Sequence, residues 1–124
     1  MDAGKIYNTW PLMGNSYFPD DNKFMNLFKL SAFSDPSLVQ YLHRNLAYLI
    51  FIIFILISYI TYRYKIFYLF KAVSILGLII LLQIILGILT VLSGASILTA
   101  SLHQFSSILL ITSSLYFLYK NRFS

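Results

Sequence analysis

Two reactive residue types are missing from the 124-residue chain, which contains neither cysteine nor glutamate. Without cysteine the chain can form no disulfide and offers no thiolate to a metal, so its composition does not indicate a redox compartment. Charged residues are also scarce, at 10% of the sequence against 59% hydrophobic residues. So few polar groups could not cover the surface of a soluble domain of this size. The composition therefore predicts a membrane protein.

Three apolar stretches are long enough to cross a bilayer core, which takes about 20 helical residues each. We predict an all-α membrane protein with transmembrane helices at residues 35–62, 66–92 and 96–119. Because three is an odd number of spans, and four-helix bundles more commonly enclose a ligand, we expect them to be part of a four-helix bundle.

The remaining residues are expected at the two membrane surfaces. Residues 1–34 would form an extracytoplasmic loop with short surface helices, for instance around residues 22–30, and residues 120–124 a cytoplasmic or matrix tail. Asp35 is suited to cap the first transmembrane helix, and Pro36 to occupy its first position. No signal peptide is visible before that helix, so we expect the first span to direct its own insertion.

The net charge of +5 has a topological explanation. Basic residues are scattered along the chain rather than gathered into a patch with interleaved aromatics, which argues against nucleic acid as a partner. Arg63 and Lys65 lie between the first two spans, and Lys120 and Arg122 follow the third. The positive-inside rule therefore places both of these positions in the cytoplasm or matrix.

The two histidines of the chain both fall inside predicted spans. His43 and His103 each lie about six residues from the outer end of their span, which is roughly 10 Å below the outer surface. These two spans run in the same direction, so the histidines lie at the same depth. A lone membrane histidine would more often form a structural hydrogen bond, but ionisable groups inside a membrane are costly and tend to be functional.

The helical neighbours of His103 are all small, whereas near His43 only Ala47 gives local room. The neighbours are Thr99, Ala100, Ser106 and Ser107 for His103, and Val39, Gln40, Leu46 and Ala47 for His43. The second span offers Gln83, Gly87, Thr90 and Gly94 along one face. Such residues would let a flat ligand approach closely, or they would let helices pack tightly with polar side chains bonded between them. The sequence leaves both interpretations open.

The chemistry of two imidazoles narrows the choice of ligand. Zinc normally takes four protein ligands, or three with a water, and no carboxylate or thiol lies at this depth. Heme iron takes one or two axial ligands, and its large apolar ring suits a helix bundle. We therefore predict a heme whose iron is bound by His43 and His103. Arg44 could reach outward to a heme propionate, or it could extend to the membrane interface.

Four stretches of the sequence resemble the C-terminal part of the heme A synthase family. They are AGKIYNTWPLM at 3–13, PSLVQYLHRNLAY at 36–48, QIILGILTVLSG at 83–94 and LTASLHQ at 98–104. Each stretch alone is a weak signal, but the four in this order and at these separations are specific. Together they extend over nearly the whole chain.

Members of that family have eight transmembrane helices in two related halves, each with a pair of histidines facing a heme site. The resemblance implies that His43 and His103 hold the heme b cofactor of the C-terminal half. The N-terminal half, in which the C8 methyl group of heme O is oxidised to the formyl group of heme A with water-derived oxygen, has no counterpart here. The family's catalytic glutamate is absent with it, so the chain is expected to be a fragment that has no catalytic residue and is not a competent oxidoreductase alone.

The resemblance also implies partners and a location. The partners are membrane lipid, heme O bound through the missing half, heme O synthase, an electron acceptor and further copies of the chain. The membrane would be the bacterial cytoplasmic membrane or the mitochondrial inner membrane. Two alternatives remain: a small b-type cytochrome that transfers electrons without modifying heme, and an assembly subunit whose histidines only form hydrogen bonds between helices.

Overall fold

Three long α-helices form most of the chain. The computed structural model describes residues 3–123, and within them all regular elements are helices, with one isolated antiparallel bridge between Met13 and Ser16. The long helices are α1 (Pro36–Arg63), α2 (Phe67–Leu92) and α3 (Ile97–Phe123), and short 3₁₀ helices precede them at Ala3–Lys5, Phe24–Phe28 and Leu30–Phe33. Met1 and Asp2 of the predicted loop and Ser124 of the predicted tail lie outside the described residues. The all-helical prediction is confirmed, although α3 continues through most of the predicted tail.

The start of α1 follows from two residues. The side chain of Asp35 accepts a hydrogen bond from the amide of Leu38 at 3.0 Å, and Pro36 occupies the first helical position. The carboxylate thereby satisfies one of the amides that a helix leaves free at its N-terminus, and proline has no amide to leave unpaired. The helix begins where the sequence predicts.

Two tight turns connect the long helices. The turn after α1 contains Lys65 with φ of 52°, and the turn after α2 contains Gly94 and Ala95 with φ of 65° and 56°. In the second turn the amide of Ala95 donates to the carbonyl of Thr90 at 2.8 Å, which closes the end of α2. Turns this short make α2 antiparallel to both neighbours. The starts of α1 and α3 and the end of α2 therefore meet at one end of the molecule, here called the loop end.

α2 is the central helix. It packs against both α1 and α3, more extensively against α3, while α1 and α3 make no comparable contact with each other. Its buried face supplies most of the apolar core, through Leu69, Ala72, Val73, Leu76 and Ile80. The spacing of these residues keeps them on one side of the helix. Since α1 and α3 are separated, a cleft remains between them.

Two of the three long helices are apolar enough to cross a membrane. The most apolar windows of α1 and α2 have mean hydropathies of 2.0 and 2.9, and only 6% and 17% of them are buried inside the chain. A core helix of a soluble protein would be mostly buried, so this exposure points to a lipid environment. α3 is as long but less apolar, because serine and threonine side chains, His103 and Gln104 interrupt its hydrophobic residues. Its composition therefore does not confirm the predicted third span.

Candidate functional site

The fold brings His43 and His103 together. His43 lies two turns into α1 and His103 less than two turns into α3, both near the loop end. Their ring centroids are 6.2 Å apart, and the ring planes cross at 82°. His43 is exposed and His103 is half-buried. The two imidazoles thus lie close together, one on α1 and one on α3.

This separation suits one metal ion held between two rings. A nitrogen of imidazole lies about 2.0–2.1 Å from a coordinated metal, and the ring centroid about 1 Å further on, so two opposed ligands have centroids about 6 Å apart. The imidazole of His43 makes no hydrogen bond within residues 3–123, and Nδ1 of His103 is buried without a partner. Buried polar atoms usually have a partner, so an unpaired ring nitrogen is consistent with a ligand site.

α2 forms the wall behind His103. A Cβ atom added to Gly87 would lie 3.1 Å from Cε1 of His103, so the imidazole rests directly on the bare backbone of this glycine. Gln83, one turn earlier, donates to the carbonyl of His103 at 3.3 Å and accepts a hydrogen bond from the hydroxyl of Ser106. These contacts place the small and polar residues predicted from the sequence against the histidine. They fix its backbone but leave Nδ1 of its ring without a partner.

A conventional multi-ligand metal site is not present in the described part of the chain. Residues 3–123 contain no group of three or more histidine, cysteine or acidic side chains placed to hold a metal ion. Two imidazoles alone do not fulfil the usual requirements of zinc. The donor set instead suits a metal that brings its own equatorial ligands, as heme iron does.

Arg44 is directed away from the histidines. It is buried, and its guanidinium donates to two carbonyls of the preceding loop, those of Leu12 and Tyr7, both at 3.2 Å. Nε of Arg44 is buried without a partner. Neither of the roles predicted for Arg44 includes this tether to the loop, and the contact with a heme propionate stays a prediction.

A second polar residue of α1 holds the same loop. The buried amide of Gln40 accepts from the backbone amide of Tyr7 at 3.3 Å and donates to the Tyr7 carbonyl at 3.0 Å. Sequence reasoning named Gln40 only as a neighbour of His43 and missed this role. Its position four residues before Arg44, on the same helical face, was the available signal. Together the two side chains fasten residues 7–12 to the loop end of α1.

The loop also reaches the turn between α2 and α3. Gly4 lies against Ala95, and Asn8 lies against Gly94, where an added Cβ would be 3.6 Å from the side-chain nitrogen of Asn8. The segment 3–13 thus bridges α1 and the α2–α3 turn, at the loop end near the two histidines. Three of the four stretches on which the resemblance depends meet here.

An acidic side chain fixes the loop from its exposed side. Asp21 accepts hydrogen bonds from the hydroxyls of Tyr7 at 3.0 Å and Ser37 at 2.6 Å. Partial burial acts to raise the pKa of Asp21, but the hydrogen bonds outweigh it and leave the pKa below its ordinary value. Burial, with the bond to Asp21, raises the pKa of Tyr7. The carboxylate is therefore ionised and acts in loop structure.

An apolar cleft lies farther along the helices, beginning about two turns from the histidines at Ile50 of α1 and Leu110 of α3. Its volume is about 410 Å³. Its lining comes from all three helices: Ile50, Ile53, Phe54 and Ile57 of α1, Leu76 and Ile80 of α2, and Leu110, Ile111, Ser114 and Leu115 of α3.

Comparisons with known proteins identify relatives over nearly the whole chain. The sequence model of a family described as cytochrome oxidase assembly protein matches residues 1–115. The heme A synthase of Pelagibacter ubique is 44% identical over 123 residues, which are 98% of this chain and 35% of that protein. The heme A synthases of Rickettsia prowazekii and Wolbachia pipientis are 35% and 38% identical, over 98% and 95% of this chain.

The chain spans about a third of the length of the curated relatives it matches, since 36% and 32% of the Rickettsia and Wolbachia proteins are aligned. No solved structure matches it.

Proposed function

Because the chain belongs to the family of cytochrome oxidase assembly proteins that includes the heme A synthases, we propose that it is the cofactor-binding part of such an enzyme. In this proposal His43 and His103 would hold the iron of a heme b through their ring nitrogens. The whole enzyme is an oxidoreductase that converts the methyl group of heme O to the formyl group of heme A. The cofactor, when bound, supplies a one-electron redox centre to that reaction.

The observation that carries the proposal is the pair of imidazoles 6.2 Å apart, with Nδ1 of His103 buried and unpaired. Buried polar atoms usually have a partner, so this unpaired ring nitrogen supports ligation over the purely structural alternative. The family relationship favours heme A synthesis over a small electron-transfer cytochrome.

The surrounding residues have separate roles in this proposal. Gly87 gives His103 a firm backing, because the ring cannot move toward α2 without meeting backbone. Gln83 and Ser106 hold the carbonyl of His103 and so fix the rotation of α3 at this point. The loop held by Gln40 and Arg44 fixes the start of α1, which carries His43. A fixed ligand geometry is one means by which a protein tunes a heme.

The membrane arrangement is also proposed. α3 packs along α2 and matches its length, and the hydroxyls of Thr112 and Ser113 are satisfied by carbonyls of their own helix. Such internal bonds let polar side chains enter a bilayer. We therefore infer that α3 is a third span of a multi-pass protein in the bacterial cytoplasmic or mitochondrial inner membrane.

We further propose that catalysis also needs a portion homologous to the rest of the aligned relatives, which are about three times as long. The proposed partners are therefore heme O, bound by a portion homologous to the rest of those relatives, heme O synthase as the source of that substrate, and an electron acceptor.

The test is heme binding by the purified chain in detergent, followed by optical spectroscopy. The expected result is one heme per chain with the spectrum of a six-coordinate, low-spin iron. His43→Ala and His103→Ala should each abolish that spectrum, because each removes one axial ligand.

Gln104→Ala is the matched control, since Gln104 is exposed and adjacent to His103. It should bind heme as the unaltered chain does. A six-coordinate spectrum that survives in both histidine variants would contradict the proposal.

A further inference from the structure

A second groove lies between α2 and α3, on the side of α2 that faces away from the histidine cleft. Its volume is about 460 Å³. Lys71, Ile75 and Ile79 line it from α2, and Leu109, Thr112, Ser113 and Tyr116 line it from α3. It shares no residue with the cleft beyond the histidines. Any ligand here would therefore be independent of the heme site.

The groove has a polar end and an apolar end. On α2 its lining residues recur every four positions from Lys71 to Ile79, a rise of about 12 Å along one helix face. Because α3 is antiparallel to α2, Tyr116 lies toward the Lys71 end and Leu109 toward the Ile79 end. Lys71 is itself one turn from the start of α2, so its long side chain can reach the membrane surface there.

The positive charge of Lys71 at the polar end of the groove has no acidic partner within residues 3–123. Lys71 is exposed and makes no hydrogen bond or ion pair within residues 3–123, and the hydroxyl of Tyr116 is likewise unpaired. All four acidic residues of the chain lie between positions 2 and 35, while Lys120 follows Tyr116 by one turn of α3. The groove thus offers a cation and a hydroxyl donor at the head of a hydrocarbon channel.

We propose that this groove binds one anionic phospholipid. One acyl chain lies along Ile75, Ile79 and Leu109, and the phosphate accepts from the ammonium of Lys71 and the hydroxyl of Tyr116. A helix from a protein partner fits less well, because an apolar helix would cover the ammonium without supplying a negative charge. A lipid supplies both the chain and the charge at the depths where the groove presents them.

The test measures lipid retention by native mass spectrometry of the purified chain, without heme, in a neutral detergent. The probes are dioleoyl phosphatidylglycerol and dioleoyl phosphatidylcholine, with glycerophosphoglycerol to separate a headgroup effect from binding of the whole lipid. The unaltered chain should retain phosphatidylglycerol in preference to phosphatidylcholine and should not retain glycerophosphoglycerol. Lys71→Gln should weaken phosphatidylglycerol binding about five-fold, the effect of one lysine near an anionic headgroup.

Two further variants complete the experiment. Ile79→Trp fills the apolar end and should reduce retention of both lipids, and circular dichroism checks that its helices form. Lys65→Gln, which removes the same charge from the turn before α2 and outside the groove, should leave binding within two-fold. Equal retention of the two lipids, an unchanged affinity in Lys71→Gln, or a chain dimer that Ile79→Trp abolishes would overturn the proposal. None of these readouts depends on heme, so they do not bear on the function proposed above.

Discussion

At the scale of single residues, the central feature is a pair of histidines at matched depth. The sequence predicts that depth, because the apolar stretches locate the start of each helix. The number of residues from that start, at 1.5 Å each, then gives the depth of each histidine. It does not predict the distance of 6.2 Å between the rings, which depends on how α1 and α3 are placed around α2. Helix spacing comes from side-chain packing along the whole of α2, which no local pattern encodes.

Arg44 shows the same limit. The sequence identifies it as a charged residue near the end of an apolar helix, where a propionate and the membrane interface are both plausible partners. Its partners within the chain are the backbone carbonyls of Tyr7 and Leu12, which lie 37 and 32 residues earlier. Every residue has a backbone carbonyl, so no sequence pattern shows which carbonyls of an irregular loop face Arg44. This contact could therefore not have been predicted.

Gly87 provides a prediction at this scale. Gly87→Ala should weaken heme binding roughly ten-fold, because the new methyl group would lie 3.1 Å from the His103 ring and force it aside, and overpacking of this kind typically costs about 1–3 kcal/mol. A heme titration followed optically measures the change.

The control for Gly87 lies on the same helix. In Gly77→Ala the added Cβ would press on the ring of Phe54 instead. This change should leave heme affinity within about two-fold, because Phe54 borders the cleft farther from the histidines. Equal losses of heme affinity in the two variants would show that the contact between Gly87 and His103 does not determine heme binding.

At the scale of elements, the loop end is a small folded unit built on α1. Gln40, Arg44 and Ser37 of α1 all bond to residues 7–21, and the ring of Tyr41 packs against those of Tyr17 and Phe18. The sequence predicts a surface loop with short helices here, and the 3₁₀ helices at Phe24–Phe28 and Leu30–Phe33 agree with it. The docking of the loop depends on contacts distant in sequence and was not predicted.

Acid should loosen this unit. The pKa of Asp21 in the folded chain lies below its ordinary value of 3.8, so the ionised carboxylate stabilises the docked loop above that pH. This contribution is lost as the pH falls through the lower, folded pKa. Fluorescence of Trp10, the single tryptophan, should report loop release in that acid range.

Asp21→Asn separates this effect from general acid unfolding. The amide cannot titrate, so the variant should lack the part of the fluorescence transition that comes from Asp21. Acid transitions that coincide in the two proteins would show that Asp21 does not control loop docking.

At the scale of the whole molecule, α2 lies between α1 and α3, and an apolar cleft of about 410 Å³ is lined by all three helices. The chain aligns with about a third of the length of its relatives. α1 and α2 have the apolarity of spans, while the polar side chains of α3 lower its hydropathy. The sequence alone suggests three spans because all three apolar stretches are long enough to cross a bilayer and basic residues flank them on the predicted inner side.

The absence of cysteine allows a direct test of topology. If α3 crosses the membrane, single cysteines at Tyr64 and Asn121 should react with an impermeant thiol reagent from one side, and a cysteine at Ser96 from the other. This is expected because Ser96 precedes α3 at the loop end and Asn121 is near its opposite end. Labelling of Ser96→Cys and Asn121→Cys from the same side would mean that α3 does not span the bilayer.

The most direct test of the central claim is electron paramagnetic resonance of the ferric, heme-loaded chain. Two axial imidazoles with nearly perpendicular planes give a strongly anisotropic low-spin signal, and the rings of His43 and His103 cross at 82°. We predict that signal at one heme per chain, with its disappearance in both His43→Ala and His103→Ala. A high-spin signal in the unaltered chain, or a low-spin signal that persists in either variant, would contradict ligation by this pair.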